Sequence, residues 1–510
     1  MSVIAESQES DEAGNKGLKA GALGLGSAIV IGVASTAPGY SLAAGLGGIV
    51  SEVGKQAPAI VWMAFIPMFF IASAYKYMNK VDPDCGTTFT WVTRSFGPNA
   101  GWMASWGLIM ADLVIMPNLA GISGQYLFIL IGKPEWADNK WAVLIAGVLF
   151  ILAMTWICVI GIELNAKTQM GLLAAEVITL IIFAVVALAK ANITPSLSWL
   201  NPFEITTPDG SMNWSAIAAG INLSLFIYWG WDTAVAVNEE CADSDKTPGR
   251  AAVISTFILV ANYVIVSFAV ISVAGIDKLG ESSDVLETSA ETVFGNHGFG
   301  AVFFKLLVIA VLSSAAASCQ TTILPAARST LSMGVHKAIP AKFAETHPRY
   351  LTPTFSTWLF GGIAVAWFVF LVVISGGDWQ GDNSPYILSI SAVGLMIAFY
   401  YGATGYAAVA YFWRYLFKSS KAFFAVGLSS LLGALILTWS FVVTLMDDGG
   451  GKLTYIGLGL LFLGVPLMLA CRTVDGGSFF RIKPDPMEDR PDPFEPDAHS
   501  PELGTYRKEV

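Results

Sequence analysis

Charged residues, histidine and cysteine are all scarce in this sequence of 510 residues. Asp, Glu, Lys and Arg make up 13% of the chain, about half of the roughly 25% found in ordinary soluble proteins. The five cysteines and four histidines are scattered, without the spacing that binds zinc. We therefore expect no metal site, no disulfide framework and no cofactor. The net charge of -10, concentrated in acidic tails, predicts no nucleic-acid partner.

Apolar residues are abundant instead. They form 55% of the chain, and the mean hydropathy is +0.62. Runs long enough to cross a lipid bilayer predict an all-α polytopic membrane protein with twelve transmembrane helices. The predicted spans are residues 20–45, 57–78, 101–131, 141–162, 169–189, 214–237, 251–274, 302–327, 354–374, 386–412, 423–446 and 453–471.

Roughly three quarters of the 28 Lys and Arg residues fall on the N-terminal side of these spans. This bias predicts a multi-pass protein of the cytoplasmic membrane with both termini in the cytoplasm. The predicted organisation comprises a disordered N-tail, two sets of five spans, two further spans and a disordered Pro/Asp-rich C-tail. Their limits are 1–17, 18–190, 210–415, 420–472 and 473–510.

Two spans carry residues that should interrupt a helix. Span 1 contains Pro38 followed by Gly39, and span 6 contains Gly230 between two tryptophans. Proline removes a helix hydrogen bond and glycine tolerates unusual backbone angles. Interruptions at matching places in two halves of a chain are typical of a transporter with a binding site at mid-membrane. Their separation by five spans predicts a 5+5 inverted repeat, with spans 11 and 12 added.

An opened helix binds charge through its own backbone. Free N–H groups at the start of one half attract an anion, and free carbonyls at the end of the other half attract a cation, so a zwitterion fits both. The residues predicted to hold a substrate carboxylate are Ser35, Thr36, Ala37 and Gly39. Carbonyls of residues 31–34 and 226–229 would receive an ammonium group. Tyr228, Trp229, Gly230 and Trp231 would form a side-chain pocket or gate, although such aromatic residues can equally contact lipid or pack.

The sequence resembles the amino acid/polyamine/organocation (APC) transporter superfamily over nearly its whole hydrophobic part. Four stretches carry the resemblance, and their order and spacing matter more than any one of them. They are the broken span 1; Pro83 to Val92 with Arg94, Gly97, Pro98 and Gly101; Gly230-Trp231-Asp232 with Glu239, Glu240, Pro248 and Arg250; and Ala327-Arg328 to Pro340 with His347 to Pro353.

This resemblance implies a LeuT-like fold and a permease that moves amino acids or related amines by alternating access. The sequence departs from the family pattern in two places. The break in span 1 reads Thr36-Ala37-Pro38-Gly39 rather than a glycine-rich motif, which removes one N–H donor. Several proton-coupled members carry a lysine in span 5, where this chain has Glu176.

Glu176 supports three interpretations. As a buried acid it could carry a coupled proton. As a carboxylate it could complete an oxygen-lined sodium site with backbone carbonyls of span 1 and hydroxyls of span 8. It could also make a structural hydrogen bond. We slightly favour the proton. The remaining residues of this predicted coupling-ion site are Ala34, Ser313, Ser314 and Ser318.

Two further acids lie within predicted spans, Asp112 in span 3 and Asp232 after the break in span 6. An intramembrane acid generally marks a functional path, so both are candidates for gating, although Asp112 could pair with a polar group and Asp232 could stabilise the hinge. The acidic run from Glu239 to Asp245 is expected to be a solvated loop. Its alternative is pairing with Arg94 or Arg328 at an inner gate.

The predicted function is a secondary active transporter that imports an amino acid, coupled to H⁺ or Na⁺. The first alternative is a polyamine or organic amine carrier or exchanger, because the intramembrane acids would suit a substrate without a carboxylate. The second alternative is a solute receptor or channel. We do not expect an enzyme, since no nucleophile, base and orienting group occur together at a plausible spacing.

Overall fold

The computed structural model describes residues 16–282, 284–294, 299–377, 379–381, 384–447, 449–496 and 498–505. Most of the N-tail predicted to be disordered, residues 1–15, lies outside the described residues. The described chain is dominated by α-helices, of which eighteen are numbered here as α1 to α18 and three short ones are left unnumbered. They are Leu25–Ser35, Pro38–Val53, Ala57–Val81, Thr88–Phe96, Pro98–Leu130, Lys140–Ile160, Ile162–Ala189, Trp214–Tyr228, Thr233–Ala236, Thr247–Ala274, Val285–Phe294, Phe299–Thr321, Ile323–Val335, Thr354–Ile374, Pro385–Tyr411, Ser429–Asp447, Lys452–Phe462 and Gly464–Cys471.

The described residues contain ten stretches that are long and apolar enough to cross a membrane. The first, Leu25–Val81, has 57 residues and includes α1, α2 and α3. The segment formed by α8 and α9 is absent from the ten because its break leaves two helices of 15 and 4 residues. The number of twelve spans therefore stays a prediction. It is reached only if the first stretch contains two spans and the segment formed by α8 and α9 is a further span.

The helices differ in how deeply they lie in the bundle. The most apolar part of Pro98–Leu130 is 72% buried by its neighbours, against 22% for Lys452–Cys471. An apolar helix that few protein neighbours cover presents its side chains to lipid. Helix α5 is therefore central, and α17 and α18 are peripheral.

The two interrupted segments lie in the middle of this bundle. Helix α1 packs against α7, α10 and α12, while α2 packs against α8. Helix α10 in turn packs along α3. The broken helices are consequently surrounded by protein, where backbone groups freed from helical hydrogen bonds can find partners.

Both described chain ends lie at the same end of the bundle, which we call the terminal face. The C-tail differs there from its predicted disorder. Asp485 accepts hydrogen bonds from Arg94 Nη1 at 3.1 Å and Tyr411 OH at 2.9 Å, and the Ser500 N–H donates to Val81 O at 2.7 Å. Phe479 is also buried. The Pro/Asp-rich composition suggested disorder, but Arg94 supplies a buried counter-charge and the tail contributes apolar side chains to the core.

Candidate functional site

The first break separates α1 from α2. Ala37 has φ +47°, a left-handed conformation that is uncommon for a residue with a side chain. The N–H groups of Thr36 and Ala37 donate to Val33 O and Ala34 O, both at 3.1 Å, which closes the last turn of α1. The chain then starts a new helix at Pro38, whose missing N–H costs nothing in the first turn. The helix opens where its proline and glycine predict.

The second break separates α8 from α9 and touches the first. Gly230 has φ +119°, which glycine adopts without strain. A side-chain carbon at Gly230 would lie 2.7 Å from Ser35 O, so only glycine permits this approach. The hydroxyl groups of Ser35 and Thr233 also form a hydrogen bond of 2.8 Å. The two interrupted helices therefore meet directly at their breaks.

The start of α2 holds a carboxylate from another helix. The Gly39 N–H donates to Glu176 Oε1 at 2.6 Å, and Ser314 Oγ donates to the same oxygen at 2.9 Å. The Tyr40 N–H donates to Ser314 Oγ at 3.2 Å. All four residues are buried or lack a side chain. The arrangement joins the first break to α7 and α12 through one charged group.

The residues predicted to bind a substrate carboxylate do not act together. Thr36 and Ala37 use their N–H groups to close α1, and the Thr36 hydroxyl donates to Val33 O at 2.7 Å. Ser35 lies in the last turn of α1. Gly39 alone of the four presents its N–H to an acidic group across the break, and that group is Glu176.

The residues predicted to bind a coupling ion are brought together only in part. Glu176 and Ser314 share a hydrogen bond, whereas Ser318 Oγ donates to Ser35 O at 2.8 Å. Ser313 Oγ donates to Ala310 O in its own helix at 3.0 Å. The Ala34 carbonyl accepts the Ala37 N–H. Glu176 and Ser314 therefore form the centre of this group.

The aromatic residues around Gly230 attach the second break to neighbouring helices. Tyr228 OH donates to Val61 O on α3 at 3.1 Å. Trp229 Nε1 donates to Tyr400 OH on α15 at 2.6 Å. The Trp231 ring stacks on Tyr401, with ring centres 5.2 Å apart. All three residues near Gly230 are buried, so they hold the break in place from two sides.

The two further acids occupy different environments. Asp232 accepts hydrogen bonds from Tyr401 OH at 2.8 Å and Tyr400 OH at 3.0 Å. Asp112 is buried on α5. Its Oδ2 has no hydrogen-bond partner among the described residues. Sequence reasoning missed Tyr400 and Tyr401, although two adjacent tyrosines within an apolar span signal hydroxyl groups that need partners.

An ion-pair cluster closes the terminal face. Lys16 Nζ lies 2.7 Å from Asp84 Oδ2 and 2.5 Å from Glu239 Oε1, and His336 Nε2 lies 3.2 Å from Asp84 Oδ2. Burial alone would raise the pKa of Asp84, but Lys16 and His336 hold it well below its usual range. Burial would likewise lower the pKa of Lys16, yet mainly the Asp84 charge raises it well above its usual range. Both groups are therefore charged at neutral pH.

This cluster bears on two predictions. Asp84, Cys85 and Glu239 present ligand atoms within 4.8 Å of one another, near enough to hold a metal ion, but the Lys16 ammonium already contacts the two carboxylates. The expectation of a solvated acidic loop is wrong at Glu240, which is buried and pairs with one of the two arginines named as its alternative partners. Arg328 donates to both carboxylate oxygens of Glu240 at 2.6 and 2.9 Å, whereas Arg94 pairs with acids elsewhere.

Two kinds of solved structure share the backbone fold of this chain. MhsT in complex with L-phenylalanine aligns with a TM-score of 0.56 and 16% identity, over 81% of this chain and 98% of that one. A mutant of the Eremococcus coleocola manganese transporter aligns with a TM-score of 0.54 and 14% identity, over 88% and 93%. At such identities only the fold is shared. These neighbours and the paired breaks define a LeuT-like fold, built from a 5+5 inverted repeat with additional helices.

The sequence comparison identifies the family within that class. The amino acid permease family model matches residues 23–465, and the chain belongs to this family. An uncharacterized transporter of Mycobacterium tuberculosis is 23% identical, over 90% of this chain and 93% of that protein. The serine/threonine exchanger SteT of Bacillus subtilis is 22% identical, over 72% and 77%. The branched-chain amino acid permease BcaP of Lactococcus lactis is 27% identical, over 45% and 54%.

Proposed function

We propose that this protein imports an amino acid across the cytoplasmic membrane by alternating access, coupled to a proton, with both termini in the cytoplasm. The observation that carries this proposal is the Glu176 carboxylate on the Gly39 N–H, at the point where the two broken helices meet. A single ionisable group that joins a moving helix to α7 and α12 can change the strength of that contact by gaining or losing a proton.

The related proteins support an amino acid as the substrate. The relatives named above include a serine/threonine exchanger and a branched-chain amino acid permease, and MhsT was solved with L-phenylalanine. A zwitterion also suits the ends of two broken helices, because a helix start attracts an anion and a helix end attracts a cation.

Proton coupling supplies enough energy for uptake. One charge moving through 100 mV releases about 2.3 kcal/mol. At about 1.4 kcal/mol per factor of ten, this supports roughly 50-fold accumulation. A coupling stoichiometry of one proton per substrate is therefore sufficient.

Uptake into liposomes tests the proposal. Purified protein is reconstituted, and proton and sodium gradients are imposed separately while a panel of radiolabelled amino acids and amines is offered. We expect accumulation of an amino acid driven by an inward proton gradient. Accumulation driven only by sodium would reject the proton, and solute binding without accumulation would favour a receptor or channel.

An amine carrier is the second candidate. Glu176 Oε2 and Asp112 Oδ2 are buried carboxylate oxygens without a partner among the described residues, and each is able to accept a hydrogen bond from the ammonium group of a cationic substrate. In the same liposomes, block of uptake by diamines but not by neutral amino acids would favour this function over the first.

A further inference from the structure

The start of α2 offers few N–H groups to a ligand. Of the residues from Thr36 to Ser41, Thr36 and Ala37 donate to carbonyls of α1 and Pro38 has no N–H. The Ser41 N–H donates to Ala37 O at 2.7 Å. The Tyr40 N–H donates to the Ser314 hydroxyl. Gly39 is therefore the position in this stretch where a backbone N–H meets a carboxylate.

Gly39 leaves space for a carboxylate to approach its N–H. Gly39 has a helical conformation within α2, so glycine is not required there by its backbone angles. A side-chain carbon at Gly39 would lie 3.3 Å from Glu176 Oε1 and 3.5 Å from Ser314 Cβ. The absence of a side chain is what lets the carboxylate reach the N–H. The second oxygen, Glu176 Oε2, is buried without a partner among the described residues.

We infer that Glu176 is a tethered substitute for the substrate carboxylate and that the two compete for the Gly39 N–H. This inference rests on the proposed function and adds the order of events at its site. An amino acid brings its own carboxylate to the start of α2, and two carboxylates a few ångströms apart cannot both remain ionised. Glu176 therefore takes one proton from solution and leaves the N–H to the substrate.

The exchange conserves hydrogen bonds. The Gly39 N–H changes acceptor from Glu176 Oε1 to a substrate oxygen, and protonated Glu176 becomes an O–H donor that can hydrogen-bond the substrate carboxylate. No covalent bond forms or breaks except the O–H of Glu176. Substrate and proton thus enter together because neither can occupy the site fully without the other. The inference also fixes the substrate class, since only a solute with a carboxylate displaces Glu176.

Proton uptake during binding tests this exchange. Purified full-length protein in weakly buffered detergent solution is titrated with L-serine, L-leucine and L-arginine, and separately with the decarboxylated counterparts ethanolamine, isopentylamine and agmatine. A pH indicator reports protons taken from solution, and calorimetry in buffers of different ionisation enthalpy provides an independent count. For wild type near neutral pH, we expect about one proton per amino acid bound and none per amine bound.

Two variants make the test specific. In Glu176→Gln the amide oxygen can still accept the Gly39 N–H but cannot be protonated, so binding should persist with no proton uptake and with an affinity independent of pH. Asp284→Asn is the matched control. Asp284 is a partly buried acid that also accepts N–H groups at a helix start, from Leu286 and Glu287 at 2.9 Å, but it lies outside the breaks. This variant should retain the wild-type proton uptake.

The outcomes separate this inference from the proposed function. Proton uptake that survives in Glu176→Gln, or that is equal for amino acids and amines, overturns the inference while liposome transport still stands. Proton-linked binding without accumulation in liposomes supports the inference and rejects transport. Absence of binding by every amino acid tested overturns both.

Discussion

At the scale of single residues, the lack of a side chain at Gly39 decides what can approach the first break. The Glu176 carboxylate reaches the Gly39 N–H at 2.6 Å, and a methyl group at Gly39 would crowd the same oxygen at 3.3 Å. Hydrogen bonds to charged groups contribute about 1.5–3 kcal/mol. The glycine is therefore important for the contact between Glu176 and α2 rather than for the helix itself.

Gly39→Ala should weaken substrate binding and cost the protein a little stability. The added methyl group lengthens the approach of any carboxylate to the N–H, and we expect the apparent Km to rise by about tenfold, equivalent to about 1.4 kcal/mol. Alanine favours a helix over glycine by about 0.5–1 kcal/mol, which offsets only part of the weakened hydrogen bond to Glu176, so thermal stability should fall slightly. Uptake assays and thermal denaturation check this. Gly26→Ala on α1, where a side chain meets open space, is the control, and an unchanged Km at position 39 would contradict the prediction.

At the scale of helices, the contact between the two breaks sets the geometry of the site. Gly230 and Ser35 pack backbone against backbone, and the aromatic residues on either side of Gly230 are fixed to α3 and α15. Asp232 adds two tyrosine hydroxyl groups from α15. A change at one break is therefore transmitted to the other through direct contact.

Gly230→Ala should separate the breaks. The positive φ is strained for alanine, at a cost of about 1–3 kcal/mol, and the methyl group would clash with the Ser35 carbonyl, which is backbone and cannot move freely. We expect lower thermal stability and loss of transport. Gly362→Ala on α14, where nothing lies near the added carbon, should leave both unchanged. Wild-type uptake by Gly230→Ala would mean that the close contact is not needed.

At the scale of the whole molecule, the N-tail and the C-tail both form ion pairs at the terminal face. Lys16 joins Asp84 and Glu239, and Asp485 joins Arg94 from the other tail. Removing one partner of a buried ion pair is costly, about 3–5 kcal/mol when the pair is fully desolvated. Both tails therefore contribute buried ion pairs that stabilise this arrangement of the terminal face.

Lys16→Gln should loosen the terminal face and expose Cys85, which is buried beside Lys16 Nζ at 3.7 Å. We expect maleimide to modify Cys85 faster by about tenfold, equivalent to about 1.4 kcal/mol of lost pairing, as followed by mass spectrometry of the Cys85 peptide. Lys19→Gln removes a solvent-exposed pair with Glu163 and should change little. Equal labelling rates in the two variants would argue against a closing role for Lys16.

The pKa shifts in this pair set its pH range. The pKa of Asp84 is lowered by folding, so its stabilisation exists above the unfolded value of about 3.9 and disappears as pH falls through the folded value. The pKa of Lys16 is raised, so its stabilisation exists below about 10.4 and disappears as pH rises through the folded value. Above the range in which histidine usually titrates, the effect of Lys16→Gln on thermal stability should therefore be the same at about pH 8 and about pH 9.

The sequence by itself determined the features that depend on local chemistry. Apolar runs fixed a helical membrane protein, because a bilayer leaves the backbone few other ways to satisfy its hydrogen bonds. The openings at Pro38 and Gly230 were also predictable, since proline and glycine act on their own backbone. The Pro/Asp-rich composition of the C-tail indicated disorder, and this was misleading. Composition does not show that Arg94 pairs with Asp485, 391 residues away.

Only the tertiary structure decided which groups meet. Glu176 reaches Gly39 across 137 residues, Tyr401 reaches Asp232 across 169, and Lys16 reaches Glu239 across 223. Helical periodicity indicates which face of its helix a side chain occupies. Which other helix that face contacts depends on how all the helices pack. The candidate site is made of such long-range contacts, so the sequence supplied its residues and the packing of the helices supplied its geometry.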